Sequence, residues 1–449
     1  MIKLFLFAFF SLSDFSHVNA MQFIEGNVCV ATDGGVFVYR EGEGIVLSYP
    51  FPYVKLAFYD PDTKSVAFIT KDHVLYVYSS FFNTLKKVGI KKHVSKLGLK
   101  AGVIHLVYDN GKQDYITIFN QKSEVVYIDP MIEAKNNPIP LYVKTRVFEN
   151  PCHVFSAPTS YVEGFTYDVV GTDKSGIFIF DRVTRRLKNN IFINIVPPIY
   201  KIKTLNDTLY ILHSHGITKI KSDYVNSLSK DCFSYEFLPV DLINIKQNTI
   251  LVSKTGYYIL KDPYFFTSLP EECSFAINAF HIEDKTFITT RHCLLYVDKA
   301  PHKIYYTPFN IDYAAQTGHI MYILIDEKLY TKEDTIKKEI DYQKEPIITH
   351  YIIEGKDRLY IPAKRGLFII DGKDITLIRS PYNLLSATSG IIDENKLYMA
   401  LWDKVVSYDF KNDAWSYVNL DKNNIYEITA LGIYGHRLYI GYRDGVLVK

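Results

Sequence analysis

The sequence predicts an all-β protein assembled from about eleven four-stranded units of ~40 residues, on three observations. One sentence of sequence recurs along the chain. Residues 428–449, ITALGIYGHRLYIGYRDGVLVK, read as an apolar strand broken at Gly435-His436, a second strand (Leu438 to Tyr442) broken at Arg443-Asp444-Gly445, and a third over Val446 to Val448. The same pattern stands at Ile24-Glu25-Gly26-Asn27 with the following VCVATDGGVFVY, and at 353–370 as IEGKDRLYIPAKRGLFII. The spacing is regular: third strands anchored at Val36, Val74, Ile116, Ile177, Ile217, Tyr257, Leu294, Leu329, Leu367, Val405 and Val446 lie 35 to 42 residues apart in nine of ten intervals. Composition agrees, since 36 Tyr and 29 Phe among 449 residues suit pleated, half-buried surfaces.

Taken in order, the chain opens with Lys3 and the apolar run Leu4 to Phe10, which reads as a secretory signal with cleavage after Ser13 or after Ala20. A competing reading keeps this segment, because 16–27 (SHVNAMQFIEGN) resembles 275–285 (FAINAFHIEDK), and makes the run an edge strand that closes the array. The array then occupies 21–449. Within each unit, tight hairpins fall at points such as Asp60-Pro61-Asp62 and Lys71-Asp72. Between units the connections carry proline (Pro50, Pro52, Pro197, Pro198, Pro239, Pro270, Pro308, Pro346, Pro381), which cannot donate to a ladder and so marks where one sheet stops. The one wide interval, 61 residues, holds an insertion near 130–152 with Asn136-Asn137-Pro138 and Pro140, either a decorated loop or a hinge. A 40-residue period with four strands per unit belongs to β-propellers, but eleven exceeds the four to eight blades usual in one ring. The readings left are a single large ring, slightly favoured, or two rings sharing the chain, in which case units from both ends must contribute to one of them.

Charge excludes one class of partner. With 51 basic and 49 acidic residues the net charge is +2, so no global field steers the protein to nucleic acid or an anionic membrane, and the run Arg182 to Lys188 reads as a solvated turn. Cysteines 29, 152, 232, 273 and 293 lack metal-ligand spacing. Cys29 and Cys293 fall within strands and read as buried small apolar residues. Cys152, Cys232 and Cys273 fall in connections, where a disulfide cannot be assigned from sequence.

The stretches VCVATDGGVFVYREG (28–42) and RLYIGYRDGVLVK (437–449) resemble the repeat of two-component-regulator propellers, the sensor modules of bacterial periplasmic signalling proteins. That pattern is a strand ending in a small or hydroxyl residue, a turn of acidic residue and glycine, then an aromatic-rich strand. Thr32-Asp33-Gly34-Gly35 follows it best, whereas Lys364-Arg365-Gly366 and Lys254-Thr255-Gly256 keep the glycine and lose the acid. Three to five of the eleven units match well. The resemblance implies a propeller and a sensor-like role, and bears on fold more than on function.

No local constellation announces catalysis or a cofactor. His213 and His215 form an HxH that lacks a third ligand, and His292-Cys293 lacks an orienting partner. Asp33, Asp72, Asp173, Asp403 and Asp444 suit turns more than calcium. The informative set is polar residues at or near the starts of the first strands, which in a propeller line the channel: Lys55, Lys96, His153, Lys201, Asn244, Asn278, Thr349, Ser386 and Glu427. A channel mouth with a few polar groups is the default ligand site, set against the plain reading that water fills any such channel. The expected function is a periplasmic or extracellular module that binds a small ligand or a protein partner, without cofactor or metal. The alternatives are a hydrolase or lyase at the same mouth, marked by two or more strongly perturbed titratable groups there, and a cytoplasmic location if the N-terminal run is an edge strand. N-terminal sequencing of protein from its native host should find residues through Ser13 or Ala20 missing; an intact Met1 would instead favour the edge strand.

Overall fold

In the computed structural model, residues 10–449 are described apart from 13–14, 42, 81–83, 89, 91–92, 118–131, 134–137, 150–154, 222–223, 230–232, 234–236, 246–247, 262–264, 283–284, 298–300, 318–319, 333–335, 356, 421–424 and 444. The chain is all-β, a propeller protein of four-stranded antiparallel sheets. All eleven sequence anchors fall on strands except Val74, one residue ahead of the strand Leu75–Ser79. No helix among the described residues is long and apolar enough to cross a membrane.

The contacts divide the chain into two compact units, one of residues 1–196, 215–232 and 444–449, the other of 197–214 and 233–443. A single continuous array, the favoured sequence reading, is therefore corrected. As the two-ring alternative required, both ends of the chain contribute to the first unit.

Four whole sheets lie in the first unit, with inner strands Val18–Ile24, Val54–Asp60, Val94–Lys100 and Pro158–Glu163. Phe10–Leu12 pairs there with Val446–Val448, the pairing that the edge-strand reading describes. Phe15 and Val18 are fully buried, and the Phe15 amide donates to the Ile193 carbonyl at 2.8 Å. Of the insertion, Ile132–Glu133 pairs with Val94–Lys100, and a later part packs as a cover, with Val143 and Phe148 buried against Tyr161, Val170, Phe178 and Phe180. Its remainder, with Cys152, lies outside the described residues, as do residues 1–9, Cys232 and Asp444.

Five whole sheets lie in the second unit, with inner strands Pro239–Ile245, Ala276–Ile282, Ile311–Thr317, Ile353–Glu354 and Ser389–Asp393. Two further inner strands, Ile199–Leu205 and Ala430–Tyr434, belong to it. Neighbouring sheets touch in sequence order, through their inner strands except where Ile311–Thr317 meets Leu359–Ala363, the second strand of the next sheet, and Ala430–Tyr434 touches Ile199–Leu205, so the seven close on themselves. The core fills the spaces between sheets, as where Leu324 and Leu329 of one meet Leu359, Ile361 and Phe368 of the next.

A shared irregularity joins neighbouring sheets. Eight inner strands skip one residue in pairing with their second strand, for example between Val18 and Ala20 and between Ile199 and Lys201. Such a bulge sets two residues opposite one and re-aims the extra side chain. Two of these side chains, Asn19 and Thr159, reach the adjacent sheet, and Thr388 and Thr429, each one residue ahead of an inner strand that pairs without a skip, do the same. Asn19 donates to the Val54 carbonyl at 2.8 Å, Thr159 to Val18 at 2.6 Å, Thr388 to Ile428 at 2.7 Å, and Thr429 to Ile199 at 2.7 Å. The last of these joins residues 230 apart and closes the second unit.

The repeat motif also has a local cause. Gly35 and Gly366 open third strands at φ +146° and +139°, where a Cβ would lie 2.3 Å and 2.2 Å from the Tyr49 and Ile378 carbonyl oxygens. Hydroxyls that end second strands bond across the same turns, Thr32 to the Gly35 carbonyl at 2.8 Å and Thr172 to that of Gly176 at 2.9 Å.

Replacing Thr429 with Val keeps the side-chain volume and removes the donor. We expect a loss of about 1–3 kcal/mol, the cost of leaving a carbonyl without its partner, with a similar loss for Thr388→Val, both read by denaturant unfolding.

Candidate functional site: the polar ring of the second unit

The residue just after each bulge turns inward, and in the second unit these positions are almost all polar. Lys201, Asp241, Asn278 and Tyr313 each follow the skip in pairing. Tyr351 precedes its short strand, Ser389 pairs with Ala400 and Ala430 with Gly441. A residue on or just before each inner strand thus occupies the equivalent place in the ring.

Asp241 is the hub. It is 2% exposed, and its Oδ1 accepts from Lys203 Nζ at 3.0 Å and from the Leu242 amide at 2.8 Å. Its Oδ2 accepts from the Ala279 amide of the next sheet at 3.2 Å, with Lys201 Nζ at 3.9 Å. Asn278, also buried, donates to the Ala314 carbonyl one sheet further on at 2.9 Å. Ser389 Oγ accepts from the Leu431 amide at 3.0 Å. These polar groups bind the ring together as well as line it. The Tyr313 and Tyr351 rings meet at 5.6 Å and 60°, and the Tyr313 hydroxyl bonds Glu354.

Electrostatics follow from this packing. Burial alone would raise the Asp241 carboxyl, but Lys201 and Lys203 outweigh it and hold the group below the usual carboxylate range. Burial alone would lower Lys201, yet Asp241 first, with Tyr351 and Glu354, drives it above the ordinary lysine value. Tyr313 is held well above a free phenol by burial, helped by Glu354. Glu354 is exposed to water, yet the surrounding protein strips part of its solvation. That desolvation pushes its carboxyl up to about 7, against Lys203, Lys201 and the Tyr313 hydroxyl, and with Asp241 adding to the rise.

Of the nine residues expected to line a mouth, the structure brings Lys201 and Asn278 into this ring. Asn244 accepts from Thr249 within its own hairpin at 3.1 Å. Thr349 is buried and donates to the Pro362 carbonyl at 2.6 Å. Ser386 is exposed in the short turn Leu384–Ser386, and Glu427 is half-buried at φ +54°. Lys55 and Lys96 belong to the first unit, Lys55 exposed and Lys96 half-buried, and His153 lies outside the described residues. Asp241, Tyr313, Tyr351 and Glu354 were not anticipated.

Other constellations resolve locally. Cys293, expected as a buried thiol, is bonded to Cys273 across 5.4 Å between Cα atoms, so the His292-Cys293 couple has no free thiol; Cys29 remains free and buried. His213 is buried and His215 exposed. Asp33 is committed to Lys71 at 2.7 Å and Asn19 at 2.8 Å. Among the described residues no three His, Cys, Asp or Glu side chains are grouped to hold a metal.

No protein-family model matches the chain, and no curated protein matches it. Solved structures similar to it include the extracellular domain of a protein described as a hybrid two-component system from B. thetaiotaomicron, 12% identical over 98% of this chain and 82% of that one, TM-score 0.34. The WD40 β-propeller domain of Doa1 is 7% identical over 56% of this chain and 91% of that one, TM-score 0.45. YCF48 from Cyanidioschyzon merolae is 11% identical over 56% and 94%, TM-score 0.44. The chain is thus similar to propellers, extracellular sensor domains among them.

The sign of the Glu354 shift is testable. A carboxyl raised in the folded state contributes stability below its unfolded value, near 4.5, and that contribution is lost as pH rises through about 7. Glu354→Gln should therefore melt higher than wild type at pH 8 and nearly with it at pH 5, by thermal unfolding followed by circular dichroism.

Proposed function

We propose that the protein is an exported binding module, of the sensor or scaffold kind, whose ligand seat is the polar ring of the second unit. The observation that carries this is the convergence of Lys201, Asp241, Asn278, Tyr313 and Tyr351 from consecutive inner strands, with Lys201 still 24% exposed and Lys203 29%. Strands of a structural core need no lysines there, and burying such charges costs free energy unless they are paired. Reachable, oriented polar groups in a concave site support ligand binding.

Export is part of the reading. The Cys273–Cys293 disulfide suits an oxidising compartment. Of the two cleavage points, the one after Ser13 keeps Phe15 and Val18 in the core and gives up the short strand Phe10–Leu12, whereas the one after Ala20 would remove all of them.

One observation favours an enzyme instead. Several groups in the ring are perturbed, the mark set out for a hydrolase or lyase. Lys201 and Asp241, however, are pushed deeper into their charged forms and Tyr313 into its neutral form, which is what an ion-pair network does. Glu354 alone is brought near neutrality, and a general base there would be the whole case.

Native mass spectrometry of gently purified protein tests the seat. We expect a small-molecule adduct on the wild type that is lost in Lys201→Met and Tyr351→Ala proteins that still melt cooperatively. An adduct indifferent to both substitutions would place the ligand elsewhere, and turnover abolished by Glu354→Gln would favour the enzyme.

A further inference from the structure

We infer that the ring of the second unit takes a small monocarboxylate and that Glu354 gains a proton when it binds. The inference rests on the ligand seat proposed above and adds the class of ligand and its control. It starts from a count of charge in a confined place. Two ammonium groups, Lys201 and Lys203, share one buried carboxylate, Asp241, and share it unequally: Lys203 Nζ is hydrogen-bonded to it at 3.0 Å while Lys201 Nζ stands off at 3.9 Å. Both Asp241 oxygens are also occupied by backbone amides, of Leu242 and Ala279. Lys201 therefore keeps capacity for a second anionic partner, and it is partly reachable.

The other groups facing this point are Glu354, Tyr313, Tyr351 and, beside Lys203, His281. Burial and Lys203 hold His281 below the usual histidine value, so it adds no charge near neutral pH, and burial holds Tyr313 in its phenol form. Only Glu354 is left to balance Lys201. With Glu354 ionised the four charged groups sum to zero; with Glu354 protonated they sum to plus one. A monoanion restores neutrality only in the second state. A dianion such as phosphate above its second ionisation overshoots in both, and a neutral ligand leaves Glu354 ionised with no proton taken up. The paired rings of Tyr313 and Tyr351 offer an apolar wall and hydroxyl donors, which fits a carboxylate with a short organic tail.

Linkage then makes affinity depend on pH in one direction. An anion beside Glu354 disfavours its ionised form, so binding draws in a proton, and by reciprocity protonation strengthens binding. Glu354 sits near neutrality before the ligand arrives, so this coupling falls in an accessible range.

The test uses the full-length protein and saturation-transfer NMR with acetate, butyrate and benzoate, each beside its primary amide, from pH 6 to 9. We expect the acids to bind and the amides not to, with affinity level near pH 6 and falling toward tenfold per pH unit above about 7, the limit for one linked proton. Glu354→Gln should bind at pH 6 and lose the pH dependence. Lys201→Met, checked for an unchanged melting profile, should lose acid binding at every pH. Amides that bind as well as acids, acids that fail to bind, or a pH dependence that Glu354→Gln retains would each overturn the inference. The ligand seat itself would survive such a result if a neutral or cationic adduct were still lost in Lys201→Met and Tyr351→Ala, and would fall if no adduct depended on them.

Discussion

A four-stranded sheet cannot bury both of its faces, and what holds these sheets beside one another at their inner edges is a single extra residue. The bulge near the start of eight inner strands releases one side chain from the pleat. Where that residue is Asn19 or Thr159 it reaches the carbonyl of the neighbouring inner strand, and Thr388 and Thr429, each one residue ahead of an inner strand that pairs without a skip, make the same contact. The contact is short and polar and recurs at the same position, so it fixes the height of one sheet against the next before the apolar faces pack. The bulge has a second effect. By shifting the alternation by one, it turns the following residue toward the ring, as at Lys201, Asp241, Asn278 and Tyr313, and Tyr351 joins them from the segment just before its strand.

Those inward positions carry a cost that the fold answers locally. A buried aspartate would ordinarily be driven toward its neutral form; here two lysines and two amides keep it charged. The same bonds tie three consecutive inner strands, since Asp241 accepts from Ala279 and Asn278 donates to Ala314. Ring closure and channel chemistry are therefore one network. Glu354 is the member whose charge is not settled by its partners, and this is why the functional reading turns on it.

The fold was largely legible in the sequence because its period is written in turn chemistry. Third strands open on glycine, as at Gly35 and Gly366, because a neighbouring carbonyl leaves no room for a Cβ, and second strands end in hydroxyls that bond across the same turn. These are demands of the backbone, which explains why a motif shared with sensor propellers carries no ligand information. The division into two units was legible only as an alternative to a single array, because each unit spells the same repeat. The site was legible in part. Lys201 and Asn278 stood out as polar residues at the starts of inner strands, but Asp241, Tyr313 and Tyr351 were passed over for neighbours such as Asn244 and Thr349. A sharper signal was present. Ile217 follows Lys201 by 16 positions, as Tyr257 follows Asp241, Leu294 follows Asn278, Leu329 follows Tyr313 and Leu367 follows Tyr351. Reading that fixed offset, rather than polarity near a strand start, finds the inward residue of each sheet. Glu354 is off this register, on a two-residue strand followed by a longer turn, and no periodic rule reaches it.

The claim on which everything else depends is that Ala430–Tyr434 closes against Ile199–Leu205. Thr204 donates to the Ile433 carbonyl across 229 residues of sequence. Mild oxidation of a Thr204→Cys/Ile433→Cys protein, followed by proteolysis and mass spectrometry, measures that closure directly. The account predicts a single dominant cross-linked peptide joining the two strands in the folded protein. Its absence, with both thiols free while the protein remains folded, would contradict the ring and the site built upon it.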